Sequence, residues 1–366
     1  MMIAKKSISF IVVIVFTIFS NFSFAENKNQ PEQTLGNPVD TQEEIDAYIQ
    51  HHLQDAHDFV LFTNGNTGNH IGFPLPIIIW DEELHFFSSS KFHHGESVAE
   101  SNGKYYVLFH EKIYRTDAEG TLTLDDHNHP TNVRPLDFSI TKSVVGMLLI
   151  GTLMLLIFGA LARDYKKGPL PTGFSRVLEP LVLYVRDEIA RPNIGEKKYR
   201  NYMSFLLTVF FFIWFLNLLG LMPFGFNVTG NIAVTVCLAL FTMIIYMSSG
   251  TKEFWIHILW MPGVPYILRP VLAIIELIGY VLIKPFSLLI RLFANITAGH
   301  VVVMSLIALM ITLKAAFGPV VSTGMSLFLT LFISIIEILI AFLQAFIFTM
   351  LSSLFIGMAV AEHDHH

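Results

Sequence analysis

Twenty consecutive positions, 143–162, carry no charged side chain, and uncharged runs recur at 201–222 and 231–249. At 1.5 Å per residue a helix of that length extends about 30 Å, the thickness of a bilayer's hydrocarbon core. Two longer apolar segments close the chain, 271–312 and 323–361, of 42 and 39 residues. As helices each would be about 60 Å long, roughly twice the core, so neither fits as an upright span. They must be broken, bent or laid through the bilayer at a steep tilt as a hairpin, and Pro285 marks the bend expected in the first. The pattern predicts an all-α polytopic membrane protein of about five transmembrane helices, the last two long and steeply tilted. Helices held so far from upright also imply a large partner packed against them. A charged content of 14% and a mean hydropathy of +0.57 agree, because an ordinary soluble domain carries about 25% charged residues.

The front of the chain is of another kind. Residues 26–137 hold 19 Asp and Glu against 6 Lys and Arg, a balance of −13, whereas the remainder holds 10 acids against 17 bases, a balance of +7. Ahead of them, MMIAKKSISFIVVIVFTIFSNFSFA sets Lys5 and Lys6 before an apolar run and ends on Ser23-Phe24-Ala25, the small-x-small pattern that signal peptidase cuts after. Residues 1–25 read as a signal peptide, the alternative being a retained first helix over 8–19; either way residue 26 onward starts outside the cytoplasm. Thr41 and Glu44 form a capping box, and Ile45, Tyr48, Ile49 and Leu53 share one helical face, so a short amphipathic helix is expected there. After NGNTGN at 64–69 come PIIIW, LHFF, KYYVLF and KIYR, aromatic and β-branched runs split by Gly, Asn and Asp, which predict a small β meander. Residues 26–137 are thus expected to form a small α+β extracytoplasmic domain, and 138–366 the membrane domain.

Ten of the fifteen histidines fall in this acidic front, among them His51-His52, His93-His94 and the DDHNH run at 125–129. A metal site is one reading; solvated imidazoles on an acidic face is the other, favoured because no ligand spacing repeats. The single cysteine, Cys237, excludes an internal disulfide or a CxxC redox pair. Between the first two uncharged runs, 163–200 holds nine Lys and Arg against five acids, which places that loop in the cytoplasm. Both cues agree on a front domain outside the cytoplasm.

Charges within the two long segments are few: Glu276, Lys284 and Arg291 in one, Glu337 in the other. An ionised side chain at mid-membrane costs between about 3 and more than 10 kcal/mol, so each is a functional candidate. At 100° per residue Lys284, Ser287, Arg291, Asn295 and Ala298 lie within about 40° of Arg291, a polar stripe of small residues, and His300 lies about 180° from it. Glu337, Ala341, Gln344 and Phe348 make a similar stripe on the second segment. Lys284 has the alternative of snorkelling to an interface, and Glu276 that of pairing with Lys284. Arg291 has neither. A guanidinium stays charged and cannot deliver a proton, while Glu337 and His300 titrate. A fixed cation on one face and titratable groups on another suit proton movement.

The residues Lys284 to His300, KPFSLLIRLFANITAGH, closely resemble the signature of subunit a of the F-type ATP synthase: RLF, a small residue, Asn, two variable positions and Ala-Gly. NLLGLMP from Asn217, NVTGNIAVT from Asn227, PGVP from Pro262 and LQAFIF from Leu343 follow in the family's order, and RDEIARPNIG from Arg186 is similar to its cytoplasmic loop. The likeness runs from about 130 to 361 and is specific, because five motifs agree in order and with the topology above. It implies a bacterial inner-membrane stator subunit with a periplasmic front and a cytoplasmic C-terminus, not an enzyme by itself. Its partners would be the ring of c subunits, the b subunits of the peripheral stalk, the other Fo and F1 subunits and the lipid bilayer. It implies no cofactor, no metal and no nucleic acid.

On that likeness Arg291 is the stator arginine, facing the ring and forcing a passing carboxylic acid to ionise. Asn295 and Gln344 stand near it, His300 and Glu337 match positions lining the proton path on the far side, and Glu276 and Lys284 join the set. Some relatives carry the acid and the histidine in exchanged order. Gly220 departs from relatives that place an acid there, which leaves open what supplies the acid of the outer half-channel. Residues 26–137 look like a lineage-specific extension. A stand-alone transporter using Arg291 to clamp an anion is the competing reading, against which stands the lack of internal repeats between 143–249 and 271–361. A third, a metal sensor, lacks a cytoplasmic output domain.

Overall fold

The computed structural model describes residues 55–361 apart from 64–69, 96, 126–129, 169–172, 174, 223–225 and 262. The signal peptide, the capping-box helix and the NGNTGN turn expected from the sequence lie outside the described residues. The chain divides into two compact units, one built on 56–142 and the other on 55 with 143–361.

The first unit holds three small antiparallel sheets. Strands β1 (Asp58–Thr63) and β2 (His70–Pro74) pair as a hairpin; β3 (Pro76–Asp81) lies between β4 (Glu83–Ser88) and β8 (Leu136–Asp137); and β5 (Ala99–Ser101), β6 (Lys104–Phe109) and β7 (Lys112–Thr116) form a meander. A 3₁₀ turn, Ser89–Gly95, follows β4. The expected runs are strands, with β1, β2, β5 and the returning β8 in addition. Alternation explains the core: Ile77 and Ile79 of β3 and Phe87 of β4 face inward with Phe92, Ala99, Tyr106 and Ile113, as the two-residue period of a half-buried strand requires. Two polar groups are buried beside them. His57 bonds Asp137 at 2.9 Å, and the Tyr106 hydroxyl donates to Asp81 at 3.1 Å.

The second unit is helical throughout: α1 (Lys142–Lys167), α2 (Ser175–Tyr184), α3 (Tyr199–Gly220), α4 (Ile232–Ser248), α5 (Lys252–Leu259), α6 (Arg269–Lys314) and α7 (Ala316–Val360). Among the described residues four helices are long and apolar enough to cross a membrane, or five if α4 and α5, bent by 105° at their junction, make one broken span. At 46 and 45 residues, α6 and α7 would each reach about 70 Å if straight. They fold back on one another at Gly318, whose φ of 75° and ψ of 165° interrupt the helix one residue before Pro319. That Gly-Pro pair, rather than Pro285, makes the sharp turn, because it combines the left-handed φ that glycine tolerates with a residue that cannot continue the hydrogen-bond ladder.

Near Pro285 the helix is instead wound more loosely, as a π turn over Gly279–Ile283 in which the Lys284 N–H bonds the Gly279 carbonyl five residues back. The Tyr280 carbonyl, released from that N–H, accepts the buried Tyr246 hydroxyl from α4. Every backbone group in a bilayer needs a partner inside the protein, and this hydroxyl supplies one. The other end of α7 is tied down similarly: the Ala359 carbonyl accepts from the Thr251 N–H at 3.0 Å and the Val360 carbonyl from Lys198 Nζ at 2.8 Å. Asp55 accepts from the Ser143 N–H at the start of α1 and from Asn231, the N-cap of α4, at 2.9 Å each. One carboxylate thereby serves two helix N-termini.

Candidate functional site

The two long helices bring most of the candidate residues together. Asn295 Nδ2 of α6 donates to Gln344 Oε1 of α7 at 2.7 Å. One turn along α6, a Cβ placed on Gly299 would stand only 2.6 Å from Glu337 Oε1, so the bare glycine is what lets this carboxyl lie against the backbone of α6. Further toward the turn, the Ser326 hydroxyl donates to the Leu306 carbonyl. The three contacts step in opposite directions along the two helices, which is the register of an antiparallel hairpin closed at Gly318.

The other candidates extend this seam to α3. A Cβ on Gly220 would meet His300 Nε2 at 3.5 Å and the Phe226 carbonyl at 3.2 Å, so glycine leaves the room that the imidazole occupies. Two turns of helix earlier the aromatic cluster Phe210, Trp214 and Phe342 joins α3 to α7, with Phe342 edge-on to both partners at 5.7 and 5.6 Å. Three residues before Gly220, the buried Asn217 accepts from the Thr229 hydroxyl at 2.9 Å.

Burial and pairing separate two kinds of group. Glu337 and Gln344 are buried, and Glu337 Oε1 and Gln344 Nε2 have no hydrogen-bond partner among the described residues. Polar atoms of this kind, buried without a partner in the protein, are expensive and call for a structural or functional reason. Arg291 is half-buried and, among the described residues, makes no ion pair or hydrogen bond. It stands one helical turn before Asn295, while its buried neighbours Leu288 and Leu292 anchor α6. The cation is therefore left available, whereas the Glu337 carboxyl is enclosed and His300 is half-buried.

Lys284 and Glu276 are placed apart from this group. The Lys284 ammonium lies over the Tyr280 ring, 2.9 Å from its centroid, with Phe355 at 5.3 Å, a cation–π arrangement. No ion pair joins it to Glu276 within 4 Å. Sequence reasoning missed Gly299, although it stands inside the quoted motif beside His300, and missed Tyr246, whose role shows only once the π turn frees a carbonyl. In the first unit no three His, Cys, Asp or Glu side chains converge as a metal site among the described residues; His51, His52, His127 and His129 lie outside them.

A polytopic membrane protein whose two longest helices form an antiparallel hairpin, with a guanidinium on it that has no partner among the described residues, and a buried carboxyl and a half-buried imidazole at its seams, is the class these features define. The sequence profile of the ATP synthase A chain family matches residues 144–357, and that of a domain of unknown function (DUF8433) matches 48–138. ATP synthase subunit a of Chloroherpeton thalassium is 42% identical over 247 residues, covering 65% of this chain and 72% of its own length. The subunit of that name from Chlorobium phaeobacteroides strain BS1 is 44% identical, over 63% of this chain and 68% of its own, and that from an Anaeromyxobacter species 40% identical, over 70% and 63%. The chain belongs to the ATP synthase A chain family.

Proposed function

We propose that the chain is the proton-conducting stator subunit of a membrane Fo sector, which supplies two aqueous half-channels and a fixed cation to a rotating ring of carboxyl-bearing c subunits. The arrangement of Arg291 carries the reading: a guanidinium without a partner among the described residues, on the face of α6 that also bears Ser287 and Asn295, opposite His300. An acid brought within about 4 Å of it, at an effective dielectric near 20, gains about 4 kcal/mol on ionising. Its hold on the proton weakens by up to about a thousandfold. The proton leaves by one half-channel, and another entering by the opposite one neutralises the next site, which then rotates into lipid. Each charge that crosses yields about 2.3 kcal/mol per 100 mV, and a permanent cation between the half-channels prevents that energy from leaking.

In this scheme Asn295 and Gln344 hold the hairpin seam beside Arg291, while the buried Glu337 and the half-buried His300, where α6 meets α7 and α3, pass protons along the second half-channel. Glu276 and Lys284 sit toward the other half-channel, at the end of the hairpin where Lys284 meets Phe355, with the cation–π seat of Lys284 fixing that side chain at the π turn. The ring packs along the long hairpin, the peripheral-stalk b subunits and the F1 sector complete the coupling, and nucleotide chemistry belongs to those other subunits. Residues 1–25 serve as the signal peptide, 26–137 lie in the periplasm of a bacterial inner membrane, and 163–200 and the C-terminus lie in the cytoplasm.

The test is a cysteine at Asn295 in a Cys237→Ala background, oxidised in native membranes. Crosslinking to the c subunit is expected at 295 and 287 and not at 300. Failure at every stripe position, with crosslinking at 300 instead, would place the ring on the wrong side of α6.

A further inference from the structure

The sheet formed by β4, β3 and β8 has an inner face that makes the core and an outer face that no other described residue of the unit covers. On the outer face stand Trp80, Leu84, Phe86, Leu136 and Phe138, between 51% and 69% exposed. Register puts them together: Trp80 is opposite both Leu84 and Leu136, and Ile78 is opposite Phe86, so all point the same way from the pleat. Five large apolar side chains on one small sheet are more than scattered surface hydrophobics and mark an interaction site. The charges of these strands lie off the patch. Asp81 and His85 are turned inward, Asp137 bonds His57, and Glu82, at the hairpin tip, pairs with Lys104 at 2.8 Å.

Chain connection says where this face must be. Beyond β8 the pairing with β3 continues, the Phe138 N–H bonding the Ile78 carbonyl at 2.8 Å and the Ile140 N–H the Pro76 carbonyl at 3.2 Å. Two residues after Ile140 the apolar helix Lys142–Lys167 begins. Four residues of extended chain span at most about 14 Å, so Phe138 cannot be farther than that from the start of a membrane span. Basic residues bracket the segment, with Arg134 two positions before Leu136 and Lys142 four after Phe138. Trp with flanking Lys and Arg is the composition of the bilayer interface, where the ring sits at headgroup level and the cations reach phosphate.

We infer that the outer face of the β4–β3–β8 sheet docks onto the lipid surface beside the first transmembrane helix, Trp80, Leu84, Phe86, Leu136 and Phe138 entering the headgroup–acyl boundary. The unit then lies on the bilayer as a monotopic element lies rather than standing clear of it. This reading does not depend on the role of Arg291.

The test uses the assembled complex in liposomes of phosphatidylcholine and phosphatidylglycerol, with Cys237→Ala and a single NBD-labelled cysteine at Phe86. Lys112→Cys, on an exposed position of another sheet in the same unit, is the reference. The 86 label is expected to be blue-shifted, several-fold less quenched by iodide than the 112 label, and several-fold more quenched by lipids carrying a doxyl group near the headgroup. Equal quenching by iodide at both positions would show the face in water. Shielding from iodide without quenching by doxyl lipid would show that another protein covers it. Either result overturns the proposal.

Discussion

Raising the pH from 6.5 past 9 should remove about 3 kcal/mol of stability from the sheet unit, through one buried histidine. His57 Nε2 stands 2.9 Å from Asp137 Oδ2 and its Nδ1 3.6 Å from Glu111 Oε2, an ion-pair distance, while its backbone N–H donates to Glu111 at 3.2 Å. Burial alone lowers an imidazole's pKa, but the hydrogen bond to Asp137 and the two carboxylate charges outweigh it and push His57 up to about 9 from 6.5. A folded value above the unfolded one means that the stabilisation is complete below about pH 6.5 and is lost as pH rises through the folded value. At 1.36 kcal/mol per tenfold change in proton affinity the difference comes to about 3 kcal/mol. Asp137 works in the opposite sense: burial would raise it, yet the hydrogen bonds from His57 and Ser139 hold it below the usual carboxylate range. Its share is present above about pH 4 and lost as pH falls further. The unit is therefore most stable between about pH 4 and 6.5. Hydrogen–deuterium exchange of the β3 and β6 amides in the solubilised protein, corrected for the intrinsic pH dependence of exchange, measures the opening free energy directly. It should fall by about 3 kcal/mol between pH 6.5 and 9.5, and His57→Gln should flatten the profile at the lower value. An unchanged opening energy over that range, or a slope that survives His57→Gln, would refute the assignment of a charged His57.

Glu337→Gln keeps the shape of the buried side chain but removes its titration, so passive proton conduction through the membrane sector should fall tenfold or more while assembly stays intact; full conduction would show the acid to be structural. Gly299→Ala puts a methyl group 2.6 Å from Glu337 Oε1 and must displace it, costing about 1–3 kcal/mol by overpacking. Conduction should drop with it, and a wild-type rate would mean that Glu337 does not lie in that cleft. Tyr246→Phe leaves the Tyr280 carbonyl without a partner in an apolar setting, about 1–3 kcal/mol, and should lower the midpoint of thermal unfolding in detergent. No shift would mean that the π turn stands without that hydroxyl.

Much of this was legible because the membrane writes in long words. A stretch of twenty uncharged residues admits few structures, and the excess length of 271–312 and 323–361 already ruled out upright spans, leaving a break, a bend or a tilted hairpin. Its turn was harder to locate. Pro285 and Pro319 look alike as residues, and only the glycine before Pro319 gives the chain a backbone angle at which to reverse, whereas Pro285 sits just past a π turn that absorbs its missing N–H. Among the candidate residues, helical spacing was enough to separate Arg291 from His300. It could not show that Asn295 meets Gln344, or that Gly299 and Gly220 make room for Glu337 and His300, because contacts across helices depend on register. In the sheet unit the aromatic runs were plain. The strand 136–137 was not, since its two residues pair with a strand nearly sixty positions earlier.

ATP-driven proton pumping by Arg291→Ala in reconstituted vesicles addresses the central claim. The account predicts a complex that assembles and hydrolyses ATP but acidifies nothing, because no fixed charge then strips the passing carboxyl or bars a direct path. Pumping at a rate near that of the unaltered complex would contradict it.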